Sequence, residues 1–157
     1  MSSERTGFAQ GSLKPCIYYE RADGFIVLAP AEKGDDTLAR AIYEKKYAAH
    51  GWEWRECRTL HDLDKLEKRL IAQEEKQARK MIEANAQVRT HVRDAVRWAL
   101  KERMVQQDTS NFEKQFIEAY LKLHDEKRDK FRDALLQHNW GIMARNYDST
   151  KKVEDLI

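Results

Sequence analysis

The chain has 157 residues, 36% of them charged and 41% hydrophobic, with a net charge of only +2. That length suits one domain or one domain with an extension, and the excess of charge over the usual quarter suits helices with much solvated surface. The near balance of charge, with the small basic excess confined to residues 61–110, excludes a basic tail for nucleic acid and a polybasic membrane anchor.

In chain order, residues 1–14 are polar and contain Ser and Gly, the composition of a mobile tail. Residues 15–58 read as a ββαβ unit. Ile17-Tyr18-Tyr19-Glu20 and Phe25-Ile26-Val27-Leu28 are rich in β-branched and aromatic residues, which suit strands. Asp23-Gly24 between them is a strong turn signal, because both residues tolerate positive φ. Asp35, Asp36 or Thr37 is placed to cap a helix. Leu38, Ala41, Ile42, Tyr43, Tyr47 and Ala48 form its buried face, and Gly51 is placed to stop it. Trp52 to Cys57 alternates in part and suits a third strand. Trp52 and Trp54 share one face of it, where aromatic residues are more often core than a stacking platform.

Residues 59–139 read as a long antiparallel helical hairpin. From Leu60 to Gln106 there is neither Gly nor Pro, and Leu, Ala, Glu, Lys, Arg, Gln and Met dominate. Thr59 with Asp62 is a variant of the capping box. One continuous helix over this stretch is roughly 70 Å long. Its apolar stripe falls into two parts, Leu63, Leu66 and Leu70, then Met81 through Val105, separated by the polar stretch from Gln73 to Lys80. That stretch is either an exposed bridge or a break between two helices, and the absence of a breaker favours the bridge. Ser110 with Glu113 is a full capping box and starts a second helix that runs to about His138. Phe112, Phe116, Tyr120, Leu123, Phe131, Ala134 and Leu135 line one face of that helix. Pairing outward from the short connection at Gln107-Asp108-Thr109, it covers the first helix back to about residue 79. Leu63, Leu66 and Leu70 then lie beyond it and form the candidate protein interface. Residues 140–157 read as a C-terminal packing segment and irregular tail, with Trp140 to Met143 apolar and Val153, Leu156 and Ile157 near helical spacing.

No catalytic, metal or cofactor signature stands out. The five histidines lack metal-ligand spacing, and Gly34-Asp35-Asp36-Thr37 lacks the spacing and lysine of a phosphate loop. Arg89, Arg93, Arg97 and Lys101 recur every four residues as a basic ridge. Such a ridge suits a nucleic-acid backbone or an acidic partner, or it pairs with Glu118, Asp125 and Glu126 on the second helix. Two cysteines make no disulfide framework and suit a reduced, intracellular, cytoplasmic setting. There is no apolar run of membrane-spanning length. Taken together the pattern predicts an α+β, mostly helical, non-enzymatic assembly protein. Its partner is a second copy of itself or another subunit of a large particle, of the kind seen in phage virions. A nucleic-acid-binding or inhibitory accessory protein is the alternative.

Overall fold

The computed structural model describes residues 13–123, 125–138, 147–148 and 150. The N-terminal tail before residue 13 lies outside the described residues. So do the packing role of Trp140 to Met143 and the terminal helical spacing at Val153, Leu156 and Ile157. The fold is mixed α+β, with a three-stranded antiparallel sheet and six α-helices among the described residues.

The ββαβ order holds. Strands β1 (Cys16–Glu20) and β2 (Ile26–Leu28) pair antiparallel, and β3 (Glu53–Cys57) pairs with the other edge of β1, giving the order β2-β1-β3. The turn forms as its residues dictate. Gly24 takes a φ of 91° and its N–H donates to Arg21 O at 2.9 Å. Asp23 accepts from Arg21 and from the Phe25 amide, and those bonds, Arg21 first, lower its carboxyl to about 2. Between β2 and β3 runs α1 (Thr37–Ile42), extended by a π turn (Tyr43–Tyr47) and a 3-10 turn (Ala48–His50). Gly51 stops it at a φ of +79°, the left-handed position that glycine occupies without strain. At the start of α1, Asp35 accepts from the Thr37 amide at 3.2 Å, as one of the expected capping residues. Asp36 holds the N-cap position without a cap bond, its carboxylate accepting instead from Arg40 at 2.9 Å. Glu32 adds two bonds, accepting from the Leu38 and Ala39 amides at 2.6 and 3.2 Å.

Strand alternation divides the core in two. Ile17 and Tyr19 face α1, where Tyr43, Tyr47, Trp52 and Trp54 pack around them. Cys16 and Cys57 face the opposite side, among the apolar residues of the longer helices. The sheet is therefore covered on both faces.

The long helix is the main correction. It is three helices: α2 (Leu60–Gln77), α3 (Arg79–Ala84) and α4 (Gln87–Met104). Ala78 departs from helical angles (φ −93°, ψ 12°), and Asn85 is extended (φ −151°, ψ 108°). Asn85 stabilises that corner itself, its side-chain oxygen accepting from the Gln87 amide at 3.0 Å. A short polar side chain bonding to nearby backbone competes with the helix at that point. The chain then doubles back, so that Glu75 on α2 meets Arg89 and Arg93 on α4, and Glu67 meets Arg97. Leu63, Leu66 and Leu70 face Val96, Leu100 and Met104 instead of waiting for a partner, while Met81, expected on the same stripe, is largely exposed. The hairpin thus lies inside the stretch expected to be one shaft. Its driving force is burial, which a straight shaft of this length forgoes.

The second helix is also broken. The cap forms: Ser110 Oγ accepts from the Glu113 amide at 3.2 Å, and its hydroxyl donates to the Glu113 carboxylate at 2.9 Å. From there α5 (Asn111–Lys122) runs to an extended Leu123, and α6 (Asp125–His138) turns back. Phe131 of α6 meets Phe116 and Tyr120 at ring distances of 5.2 and 6.4 Å. The side chains of Ala134 and Leu135 lie outside the described residues.

Leu63, Leu66 and Leu70 are consequently not an outward-facing interface. Their exposures are 0, 2 and 4%, and they pack with Val96, Leu100 and Met104 of α4 and with the aromatic residues of α5. The stripe is covered by its own chain because α4, absent from the expected geometry, folds onto it.

Cys16 and Cys57 stand directly opposite each other on β1 and β3, both free and buried. Burial pushes the Cys16 thiol up to about 12 and that of Cys57 upward as well. Because the thiolate is the reactive form, the native protein is expected not to react with an aromatic disulfide reagent at pH 8. Both thiols react once the chain is unfolded in urea. Rapid colour release from the native protein contradicts this placement. Linkage adds a sign. The ordinary thiol value is 9.0 and the folded value of Cys16 is about 12. The unfolded state therefore loses its proton first, and stability is full below pH 9 and falls from there towards pH 12.

Candidate functional site on the outer face of α4

Helix α4 buries Val96, Leu100 and Met104 and turns its other faces to α2, α5 and solvent. The basic ridge exists, and each cation has a carboxylate. Arg89 and Arg93 lie 3.8 and 3.3 Å from Glu75, Arg97 lies 3.8 Å from Glu67, and Lys101 lies 3.0 Å from Glu118. Glu118 is the expected partner on the following helix. Glu75 and Glu67 come from α2, since α4 packs on that helix. The exposed pairs at Arg89, Arg93 and Lys101 contribute about 0–1 kcal/mol each, whereas Arg97 leans on a buried Glu67.

Trp98 is the residue that sequence reasoning missed. It is 57% exposed on α4, beside Arg97 and three positions before Lys101. Lys101 Nζ lies 4.3 Å from the centre of the indole ring, a cation–π contact. The same ammonium bonds Glu118, so it fixes the ring and the α4–α5 ladder together. Trp98 lies in a hollow of about 380 Å³ between α4 and α5, whose walls include Asp94, Arg97, Leu121 and Lys122. The available signal was its place among the ridge residues, outside the apolar stripe.

Two further concavities flank the bundle. A groove of about 400 Å³ runs between β2, α2 and the face of α4 formed by Val92, Ala95, Val96 and Ala99. Gln73 closes the β2 edge there. Its carboxamide accepts from the Ile26 amide at 2.9 Å and donates to the Ile26 carbonyl at 2.8 Å. One side chain thus supplies the donor and acceptor of a missing neighbour strand, which protects an open sheet edge. Arg69 latches the same hairpin through Gly24 O and Glu20. The second concavity, about 750 Å³, lies between α2, α4 and the α5–α6 corner.

Beneath that corner lies a buried charge network that was also not foreseen. Arg128 is 3% exposed and Glu67 4%. Arg128 donates to Glu67 at 2.7 Å, to Asp64 at 3.3 Å, and to the Tyr120 and Leu121 carbonyls at 3.1 Å each. The Tyr120 hydroxyl donates to both oxygens of Asp64, and burial followed by that carboxylate pushes its pKa up. Arg132 completes the set with a 2.6 Å bond to Asp64. These groups are mutually satisfied and join α2, α5 and α6.

Trp52 and Trp54 are packing residues, with rings 5.0 Å from Tyr47 and 5.6 Å from Tyr43 respectively. Among the described residues no group of three or more His, Cys, Asp or Glu stands together as metal ligands, and no helix is long and apolar enough to cross a membrane. Fold and site together describe a mixed α+β domain with a helical face built around an exposed indole. The chain matches no protein-family model, no curated protein and no solved structure.

Proposed function

We propose that the chain is a non-enzymatic interaction protein, an assembly subunit that joins a second copy of itself or another subunit through the face centred on Trp98. The observation that carries the reading is the exposed indole held by Lys101, which also pairs with Glu118, in a hollow with charged walls. Tryptophan and arginine at the centre of a contact, with a polar rim, are the composition of a binding hot spot. The leucines at 63, 66 and 70 have no part in this reading, because they are inside the chain. The free cysteines suit assembly in a reduced, cytoplasmic compartment. Nucleic-acid binding by Arg89, Arg93, Arg97 and Lys101 is the weaker reading. Each of these cations already has a carboxylate within 4 Å, which weakens the net field that a phosphate backbone would meet.

The test is sedimentation at tens of micromolar, with a photo-crosslinking residue at position 98 used in the native host. The wild-type chain is expected to sediment above its 18.6 kDa mass or to crosslink to one defined protein. Trp98→Ala weakens that association by about thirtyfold, the effect of truncating a hot spot. A monomer with no crosslink at position 98 overturns the proposal. Binding of single-stranded DNA at low salt that Trp98→Ala abolishes would instead establish the nucleic-acid reading, since an indole also stacks bases.

A further inference from the structure

The walls of the Trp98 hollow carry two acids and two bases placed so that they complement a copy of themselves. Asp94 and Lys101 lie on α4 two helical turns apart, so they share one face, with Trp98 between them. Glu118 and Lys122 lie one turn apart on α5, across the hollow. Arg97, the remaining charge there, leans inward on the buried Glu67.

Two of the four charges are spare. Asp94 and Lys122 are exposed and make no hydrogen bond or ion pair among the described residues. Lys101 gives one N–H to a single oxygen of Glu118 at 3.0 Å, so its ammonium keeps two donors and that carboxylate keeps its other oxygen.

A two-fold axis that lies between two copies and crosses both helices sets each helix antiparallel to its counterpart. Positions equidistant from the axis then meet, and every contact is made twice. The midpoint of Asp94 and Lys101 falls beside Trp98, and that of Glu118 and Lys122 falls at Tyr120. Because α5 returns along α4 with Lys101 opposite Glu118, the two midpoints stand only about 2 Å apart along the helices, and one axis serves both. On that axis Asp94 meets Lys101 of the second copy, Glu118 meets Lys122 of the second copy, and the two indoles meet at the centre. Strips about 10 Å wide along the 18 residues of α4 and the 12 of α5 give about 450 Å² per copy. Two copies bury about 900 Å², the low end for specific pairs, so the dimer is weak and forms at micromolar concentrations.

We infer that the partner on the Trp98 face is a second copy of this chain, related by a two-fold axis at the indole and held in register by Asp94–Lys101 and Glu118–Lys122 pairs between copies. This rests on the reading of that face as the contact surface, and adds to it the partner and its orientation. The indoles supply the apolar centre, and the charges fix the antiparallel register more than they add strength.

The experiment is sedimentation of the full chain at 1–100 µM, roughly the range of a weak pair, with a zero-length carbodiimide crosslink on an equal mixture of ¹⁴N and ¹⁵N protein. Within one chain Asp94 and Lys101 are about 10 Å apart along the helix, too far to be joined directly. An Asp94–Lys101 link is expected, with both isotopes in one linked peptide. Asp94→Lys and Lys101→Glu each set like charges against each other across the axis, and each alone weakens the dimer at least about tenfold. Mixing the two variants pairs opposite charges again and restores a dimer near wild-type strength. Asp94 is exposed and unpaired, so its variant keeps the fold. A wild-type monomer at the top of this range overturns the inference, as does a dimer that gives neither the link nor the restoration on mixing. A monomer whose position 98 crosslinks to a different protein in the native host overturns the second copy as partner and leaves the contact reading of the face standing. A monomer with no crosslink at position 98 overturns both.

Discussion

A chain carrying Leu66→Glu and Leu70→Glu together is expected not to fold. Both leucines are buried against α4 and α5, at 2 and 4% exposure. Each loses about 1.5–3 kcal/mol of apolar burial. Each also places a carboxylate where desolvation costs several kcal/mol more, whether it stays charged or takes up a proton. Two such sites on one stripe reach the whole stability of a domain, about 5–15 kcal/mol. The alternative geometry, a straight shaft with this stripe at an intermolecular contact, gives the opposite result: a folded double mutant that merely dissociates. Far-UV circular dichroism and urea unfolding separate the two. A double mutant that unfolds cooperatively at the wild-type midpoint would overturn the packing of α2 on α4.

What was legible in the sequence is what a few neighbouring residues decide. The Asp23-Gly24 turn, the stop at Gly51 and the caps at Thr59 and Ser110 each rest on chemistry within four positions, and each is present. The breaks at Ala78 and Asn85 are of another kind. Nothing local forbids a helix at Ala78, and at Asn85 the side-chain bond to Gln87 only competes with one. They exist because two half-stripes, at Leu63 to Leu70 and at Val96 to Met104, gain more from facing each other than a continuous helix gains from a few extra backbone bonds. The polar run from Gln73 to Lys80 did mark the neighbourhood of the corner, but its meaning depended on contacts far away in sequence. Gln73 shows how misleading a polar residue is when read alone, since it closes the β2 edge 47 positions upstream.

The candidate site was legible in part for the same reason. The period of four placed Arg89, Arg93, Arg97 and Lys101 on one ridge, and that is where they are. Their partners on α2 were hidden, because that pairing needs the unexpected corner. Trp98 was hidden because exposure is not a sequence property. Glu67 and Arg128 were hidden because charged residues are almost never fully buried unless paired, and the pair spans 61 positions.

That pair gives the other large effect. Arg128→Met keeps the volume and removes the charge. Glu67 is left buried with only the 3.8 Å contact to Arg97, the Leu121 carbonyl loses the Arg128 donor, and the Tyr120 carbonyl keeps only the Leu123 amide. Removing one member of a buried ion pair costs about 3–5 kcal/mol, because the other charge stays desolvated. Replacing both, with Glu67→Met beside Arg128→Met, takes that charge away and is expected to regain part of the loss. The regain is incomplete, since both carbonyls remain without the Arg128 guanidinium and Asp64 keeps Arg132 and the Tyr120 hydroxyl. Urea unfolding of the two single mutants and the double mutant measures the coupling between them, expected at 0.5–3 kcal/mol for groups in one network, roughly the range for direct neighbours. An Arg128→Met protein within about 1 kcal/mol of wild type, the scale of an exposed pair, would mean that water reaches the network. The α5–α6 corner, which Arg128 ties to α2, would then not be held by it, and neither would the wall of the second concavity that Lys127 and Leu123 form.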